Sequence, residues 1–305
     1  MVQGLTACFG EFLGTFILVF FGTSAVAVAV LFNAFSGLVQ TALVWGVGVT
    51  LAIYATRHLS CAHLNPAVSL GMVLTGRMQS RLLLPYWGAQ LAGAMLAGGC
   101  VLLLFQGPIA GFEAANGIVR GESSSVKTAM LFGEYFPNPG FASPWFQVSI
   151  PSAMLVEGLG TFVLVTLIFL LTEGCNVGRP SDVLAPVFIG TAVTALIAVM
   201  APLTQTGLNP ARDFGPRIIA YLAGWKGIAI PGPHGGFFVV YIAAPLIGGA
   251  AAAGFFRWVI APLMAAKNVE MVCNCASCAE IAENRPPSSL IGTISPCASG
   301  RDLVK

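Results

Sequence analysis

Leu64-Asn-Pro-Ala67 and Leu208-Asn-Pro-Ala211 stand 144 positions apart, and the reading of that pair decides the fold. An upstream pair agrees: Glu11-Phe-Leu-Gly-Thr-Phe-Ile-Leu-Val19 matches Glu157-Gly-Leu-Gly-Thr-Phe-Val-Leu-Val165 at a spacing of 146. Two landmarks at nearly one offset imply a duplicated unit. In each motif the proline fits the first turn of a helix, where a missing backbone donor costs nothing, and Asn65 or Asn209 sits at the cap. The apolar segment that follows each Asn is roughly ten to twelve residues long and rises only about 15 to 18 Å, half a bilayer.

Working outward, the chain has 305 residues, 56% hydrophobic and only 9% charged, with a mean hydropathy of +0.85. That composition belongs in a membrane, since a soluble chain is roughly 25% charged. Fourteen basic residues against twelve acidic ones form no basic stripe, so nucleic acid is not an expected partner. Six stretches are apolar over the ~20 residues a spanning helix needs: 9–32, 37–58, 82–105, 150–172, 183–203 and 237–261. The first lacks a basic flank and a cleavage site and carries Glu11, so it reads as a retained helix, not a signal peptide.

The expected organisation is a first repeat with a long extracellular loop over 1–148, a second repeat over 149–264, and a polar cytoplasmic tail over 265–305. The stretch 107–148, rich in Gly, Pro, Ser and Asn and carrying Glu113, Glu122 and Glu134, reads as that loop. Arg57, Arg77, Arg81, Arg179, Arg257 and Lys267 fall on the side shared by the termini, against Arg120, Lys127 and Lys226 on the other. The positive-inside rule then places both termini in the cytoplasm of a multi-pass cell-membrane protein.

Three spans per repeat is an odd number, so the second copy enters from the opposite side and the repeats are inverted. The two half-helices meet N-terminus to N-terminus near the bilayer centre, where their dipoles repel cations and the Asn amides donate hydrogen bonds into the same space. One Asn-Pro-Ala alone is ordinarily just a helix start; two at repeat-equivalent positions are not.

The residues His63-Leu-Asn-Pro-Ala-Val68 and Gly207-Leu-Asn-Pro-Ala-Arg-Asp-Phe-Gly-Pro-Arg217, set on six spans, resemble the aquaporin and aquaglyceroporin family over roughly residues 7–264. The resemblance implies an all-α membrane protein with two re-entrant half-helices, one pore per subunit, and a homotetramer. It implies a passive channel for small uncharged solutes, glycerol and water foremost, that excludes ions and protons; half-helix dipoles and an Arg are the recognised source of selectivity in such pores. Asp213, Arg217 and Pro245-Leu246 are similar to the glycerol-conducting branch.

Counted from the motifs, the resemblance puts the narrowest part of the pore at Trp45, Ile197, Thr206 and Arg212. Trp45 is expected to carry a solute's carbon backbone while Arg212 donates to its hydroxyls. A typical bacterial glycerol facilitator has Gly where Ile197 sits and Phe where Thr206 sits, so the cross-section is re-partitioned between those walls and glycerol, urea and neutral metalloid hydroxides all remain candidates.

An Arg deep in a span needs a wet cavity or a partner, which makes Arg212 a pore residue first and a buried ion pair second. Asp213 reads as ordering loop backbone. Glu11 and Glu157 stand at equivalent positions and read as structural, each accepting hydrogen bonds from its re-entrant loop, with a proton relay as the sharper alternative. His63 reads as a satisfied core histidine more than a pH sensor. Cys273, Cys275 and Cys278 suggest reversible palmitoylation or a metal site against an inert tail. No nucleophile with its base, metal cluster or phosphate loop is discernible, so neither catalysis nor a cofactor is expected. A coupled transporter, which also uses inverted repeats, needs midplane titratable groups that are scarce here.

Overall fold

A computed structural model describes residues 2–35, 37–141 and 145–267; the tail cysteines Cys273, Cys275 and Cys278 lie outside the described residues. Among the described residues six helices are long and apolar enough to cross a membrane: Gly4–Phe32, Leu38–Ser60, Ser80–Ala115, Ile150–Thr172, Ala185–Thr204 and Phe238–Ala266. One half-helix completes each half, and the first half also carries a single turn of helix before the second. In chain order, α1 is Val2–Phe32, α2 Leu38–Ser60, α3 Pro66–Leu74, α4 Leu83–Ala115, α5 Val126–Ala129, α6 Ile150–Thr172, α7 Ala185–Thr204, α8 Pro210–Ala220, α9 Ala244–Phe255 and α10 Ala261–Lys267. The half-helices of the sequence reading are α3 and α8. A π-helical turn, Phe238–Ala243, leads into α9, and another, Phe256–Ile260, joins α9 to α10, so the last span is continuous.

The helices cross where side chains are absent. A Cβ on Gly93 of α4 would lie 2.1 Å from the Phe12 carbonyl oxygen of α1, and one on Gly248 of α9 would lie 2.1 Å from the Gly158 carbonyl oxygen of α6. These are equivalent crossings of the two repeats. Between the repeats, α2 and α7 touch at Gly46 and Gly190, each of whose missing Cβ would clash with the other's carbonyl. Small residues permit this approach in lipid, where burial of apolar surface supplies no drive between helices. The outward faces stay apolar, as Val39, Leu43, Val47 and Leu51, one per turn of α2, are all exposed.

The first span begins before residue 9 and the last runs past 261, but the largest difference from the sequence reading lies in the third span. The third span does not end near 105; α4 continues past Gly107 and Pro108 to Ala115. Its polar end is held because the buried carboxylate of Glu113 accepts hydrogen bonds from Arg120 Nε at 2.9 Å and Thr128 Oγ1 at 2.9 Å. A residue that looks like loop in composition is thus neutralised by partners farther along the chain.

Candidate functional site

The backbone leading into each half-helix takes the same unusual path. Cys61, Ala62 and Leu64 have φ of 65°, 52° and 56°, and Gln205, Thr206 and Leu208 have 59°, 69° and 55°. Left-handed conformation costs a non-glycine residue roughly 1–2 kcal/mol. A buried carboxylate offsets that cost in each half. Glu11 accepts from His63 N at 2.9 Å, Leu64 N at 2.7 Å and Gln90 Nε2 at 2.7 Å. Glu157 accepts from Gly207 N at 2.9 Å, Leu208 N at 2.8 Å and Thr204 Oγ1 at 2.6 Å. Hydrogen bonds to a charged group contribute about 1.5–3 kcal/mol each.

The turns deliver the two asparagines to one place. Asn65 Oδ1 caps α3 by accepting from Ala67 N at 2.8 Å; Asn209 Oδ1 caps α8 by accepting from Ala211 N at 3.1 Å and Arg212 N at 3.2 Å. Their amide nitrogens then cross between repeats. Asn65 Nδ2 donates to the Leu208 carbonyl at 2.9 Å, and Asn209 Nδ2 donates to the Leu64 carbonyl at 2.7 Å. Each amide carries two N–H groups, so one of each remains beyond the crossing bond.

A cavity of about 460 Å³ runs past this junction, and Trp45, Asn65, Ile197, Thr206, Asn209 and Arg212 all line it. His63 lines it too, with Nδ1 3.3 Å from Ser69 Oγ. Glu11, Glu157 and Asp213 do not; they are fully buried behind the wall. A second cavity of about 380 Å³ lies on the side of the long loop. Trp45 and Ile197 are the two residues that line both, so these side chains stand between the two cavities. Gly22 makes room for the indole, since a Cβ there would lie 2.1 Å from it.

Beside Trp45, Arg212 is 5% exposed and its guanidinium carbon lies 3.9 Å from the centre of the indole ring. It is also ion-paired with Glu134, itself buried and lining the second cavity. Arg212 therefore both lines a cavity and is held in a buried ion pair. Glu134 is the residue that sequence reasoning passed over, as an ordinary loop charge. Its backbone is clamped from both sides: Asp213 Oδ1 accepts from Glu134 N at 2.6 Å, and Arg217 donates to the Glu134 carbonyl. Asp213 Oδ2 in turn accepts from Arg217 Nε at 2.8 Å. Asp213 thus orders loop backbone and also fixes the residue that faces Arg212. Gln205 and Asn138 add to the loop's attachment, through Tyr135 N to Gln205 Oε1 at 2.9 Å and Asn138 Nδ2 to the Ala201 carbonyl at 2.8 Å. The signal available for Glu134 was the requirement of Arg212 for a partner; nothing in the spacing said which of the loop's carboxylates would meet it.

The far end of the first cavity is edged by Arg57 and Asp182. Arg57 Nη1 donates to the Asp182 carbonyl at 2.5 Å, and Tyr54 hydroxyl to the Val183 carbonyl at 2.5 Å, tying the segment between α6 and α7 to α2. A hydrogen bond from Arg179 holds the exposed Asp182 carboxyl below its ordinary pKa. Among the described residues no group of three or more His, Cys, Asp or Glu is placed to hold a metal.

Comparison with known proteins gives a consistent picture. The family model described as Major intrinsic protein matches residues 1–256. A glycerol uptake facilitator protein of Pseudomonas aeruginosa is 42% identical over 255 residues, covering 83% of this chain and 88% of the relative. A propanediol uptake facilitator, PduF, of Citrobacter freundii is 39% identical over 256 residues, covering 83% and 91%. The X-ray structure of the aquaglyceroporin from Plasmodium falciparum superposes with a TM-score of 0.72 at 25% identity, covering 86% of this chain and 98% of that one.

Proposed function

The chain belongs to the major intrinsic protein family, and we propose from that premise that it is a passive membrane channel for glycerol and water. The observation that carries this reading is the amphipathic passage: Trp45 and Ile197 offer apolar walls on both cavities, while Arg212 and Thr206 bring polar groups to the same cavity. A polyol laid against the indole keeps its carbons on an apolar surface and its hydroxyls within reach of donors. The likeness to the glycerol and propanediol facilitators supports the same solute class.

Asn65 and Asn209 serve as the midplane donors, at the positive ends of α3 and α8, where a cation meets repulsion and loses its hydration. Glu11, Glu157, His63 and Asp213 hold the re-entrant segments. The working unit is a homotetramer with one pore per subunit, and its termini face the cytoplasm, in keeping with the distribution of Arg and Lys between the two sides.

The test is stopped-flow light scattering on proteoliposomes, comparing shrinkage under an osmotic step with re-swelling as glycerol enters. Fast water flux followed by fast re-swelling is the expected result. Fast water flux without re-swelling would leave a water channel and sink the glycerol assignment.

A further inference from the structure

Few Lys, Arg, Asp or Glu side chains line the two cavities among the described residues. Arg57, Asp182 and Arg212 line the first, and Lys127 and Glu134 line the second. Arg57 and Asp182 stand at the far end of the first cavity. From the second cavity to the midplane, Lys127, Arg212 and the positive ends of α3 and α8 therefore all carry one sign. Glu134 is the exception. Asp213 supplies no second negative charge on that path, because it lines neither cavity and its carboxylate is committed to Glu134 N and to Arg217 Nε.

A path of one sign rejects cations and attracts anions. The attraction is strongest at Arg212, whose charge is buried and poorly screened by water. Glu134 cancels it at the source, since its buried carboxylate is ion-paired with that guanidinium. The loop is pinned where the pair forms: Glu134 N donates to Asp213 Oδ1 at 2.6 Å, Arg217 donates to the Glu134 carbonyl, and Tyr135 N donates to Gln205 Oε1 at 2.9 Å. A buried ion pair adds little net stability over an apolar pair of the same size, so stability alone does not account for the two charges.

We propose that Glu134 is a specificity-determining residue that keeps small anions out of the pore, by neutralising Arg212 and setting a negative charge on the wall of the second cavity. The proposal rests on the reading of the chain as a passive channel for neutral solutes. It divides the exclusion of ions between two groups: the half-helix ends turn back cations, and Glu134 turns back anions. A neutral polyol is indifferent to the pair's net charge and still finds the donors of Arg212. Without Glu134, the charges from the second cavity to the midplane become an anion path that ends on a bare guanidinium.

The experiment compares the wild type, Glu134→Gln and the double variant Glu134→Gln/Arg212→Val in proteoliposomes. Chloride entry is read by a trapped halide-sensitive dye, with potassium and valinomycin carrying the compensating charge. Proton entry is read by a trapped pH dye, and water and glycerol fluxes by light scattering. Glutamine keeps the shape of the side chain and removes its charge. Glu134→Gln is expected to raise the chloride-to-water flux ratio about tenfold or more over the wild type without raising proton entry. Adding Arg212→Val returns chloride entry to the wild-type level, because the stranded positive charge is gone. Water flux without added chloride entry in Glu134→Gln overturns the proposal. Equal rises in chloride and proton entry overturn it too, as the mark of loosened packing, and so does a double variant that leaks chloride as fast as the single one. If Glu134→Gln does not assemble, Glu134→Ser and Glu134→Ser/Arg212→Val take its place and the same outcomes decide. A wild type that passes chloride along with glycerol overturns this proposal alone. One that passes neither water nor glycerol overturns the channel reading together with it.

Discussion

The segments 61–74 and 205–220 are built alike and equipped differently. Both run through left-handed residues, both hang from a buried glutamate, both begin a half-helix with an Asn cap, and both are backed by a tyrosine hydroxyl bonded at 3.0 Å to an equivalent carbonyl, Tyr86 to Ser60 and Tyr241 to Thr204. The side chains that touch chemistry diverge. Where the first segment has Ala62, Val68 and Ser69, the second has Thr206, Arg212 and Asp213. Duplication accounts for the frame, and the polar side chains that break its symmetry stand at a few positions on one side.

The largest effects are expected at the frame itself, and they should be equal in the two halves. Gly93→Leu and Gly248→Leu each place a side chain where a carbonyl oxygen already sits 2.1 Å from the would-be Cβ. Both variants are expected to lose folded, assembled protein outright, read by recovery and size-exclusion profile in detergent. If one were tolerated and the other not, the equivalence of the two crossings would fail.

Next comes the pair that only the second segment has. Arg212→Val leaves Glu134 buried without its partner, a change that typically costs about 3–5 kcal/mol and should lower the thermal midpoint of the purified protein accordingly. Adding Glu134→Gln to the same chain is expected to recover part of the loss, because the uncompensated charge is gone, while the altered solute profile of Arg212→Val persists. No recovery in the double variant would mean that Arg212 stabilises through its stack on Trp45 and not through Glu134. The equivalent position in the first segment is already Val68, with no counter-ion to strand.

Smaller effects come from the two carboxylates. Glu11→Gln and Glu157→Gln exchange a charge-assisted acceptor for an amide that must turn a donor toward backbone N–H groups. A loss of about 2–3 kcal/mol in stability is expected for each, with slowed water flux. Similar losses at both positions would support one structural duty shared by the repeats. A large change in proton leak at either would revive the relay. The smallest effect is expected at the half-buried pair Arg77 and Glu173, where Glu173→Gln leaves the Arg77 stacks on Phe169 and Phe256 in place and should change stability by under ~1 kcal/mol, less in high salt.

The fold and most of the candidate site were legible in the sequence because they rest on local signals: hydropathy long enough to span, a proline after a capping Asn, and one offset that repeats. The parts that were not legible depend on partners far along the chain. Glu113 reads as a loop charge until Arg120 and Thr128 are seen to meet it, and that meeting is what lets α4 run ten residues farther than its apolar core. Glu134 looks no different from the exposed Glu122 by composition, yet it is buried against Arg212, 78 residues away. Loop composition reports how a segment would behave alone in water, not what a cation inside the bundle will demand of it. The second cavity and the sharing of Trp45 and Ile197 between the two cavities follow from that inward-folded loop and have no signature in spacing.

The crossed asparagine amides also constrain how the chain can be made. Asn65 and the Leu64 carbonyl are synthesised and inserted long before Leu208 and Asn209 exist, and until then each is a polar group waiting in the bilayer for a counterpart. The amino-terminal half therefore cannot finish its own interior. A ribosome that stalls before residue 209, or a cell that expresses the first repeat alone, yields a product whose defect lies at its centre and not at its truncated end. Only a second repeat, supplied later in the same polypeptide or by another molecule, can close it.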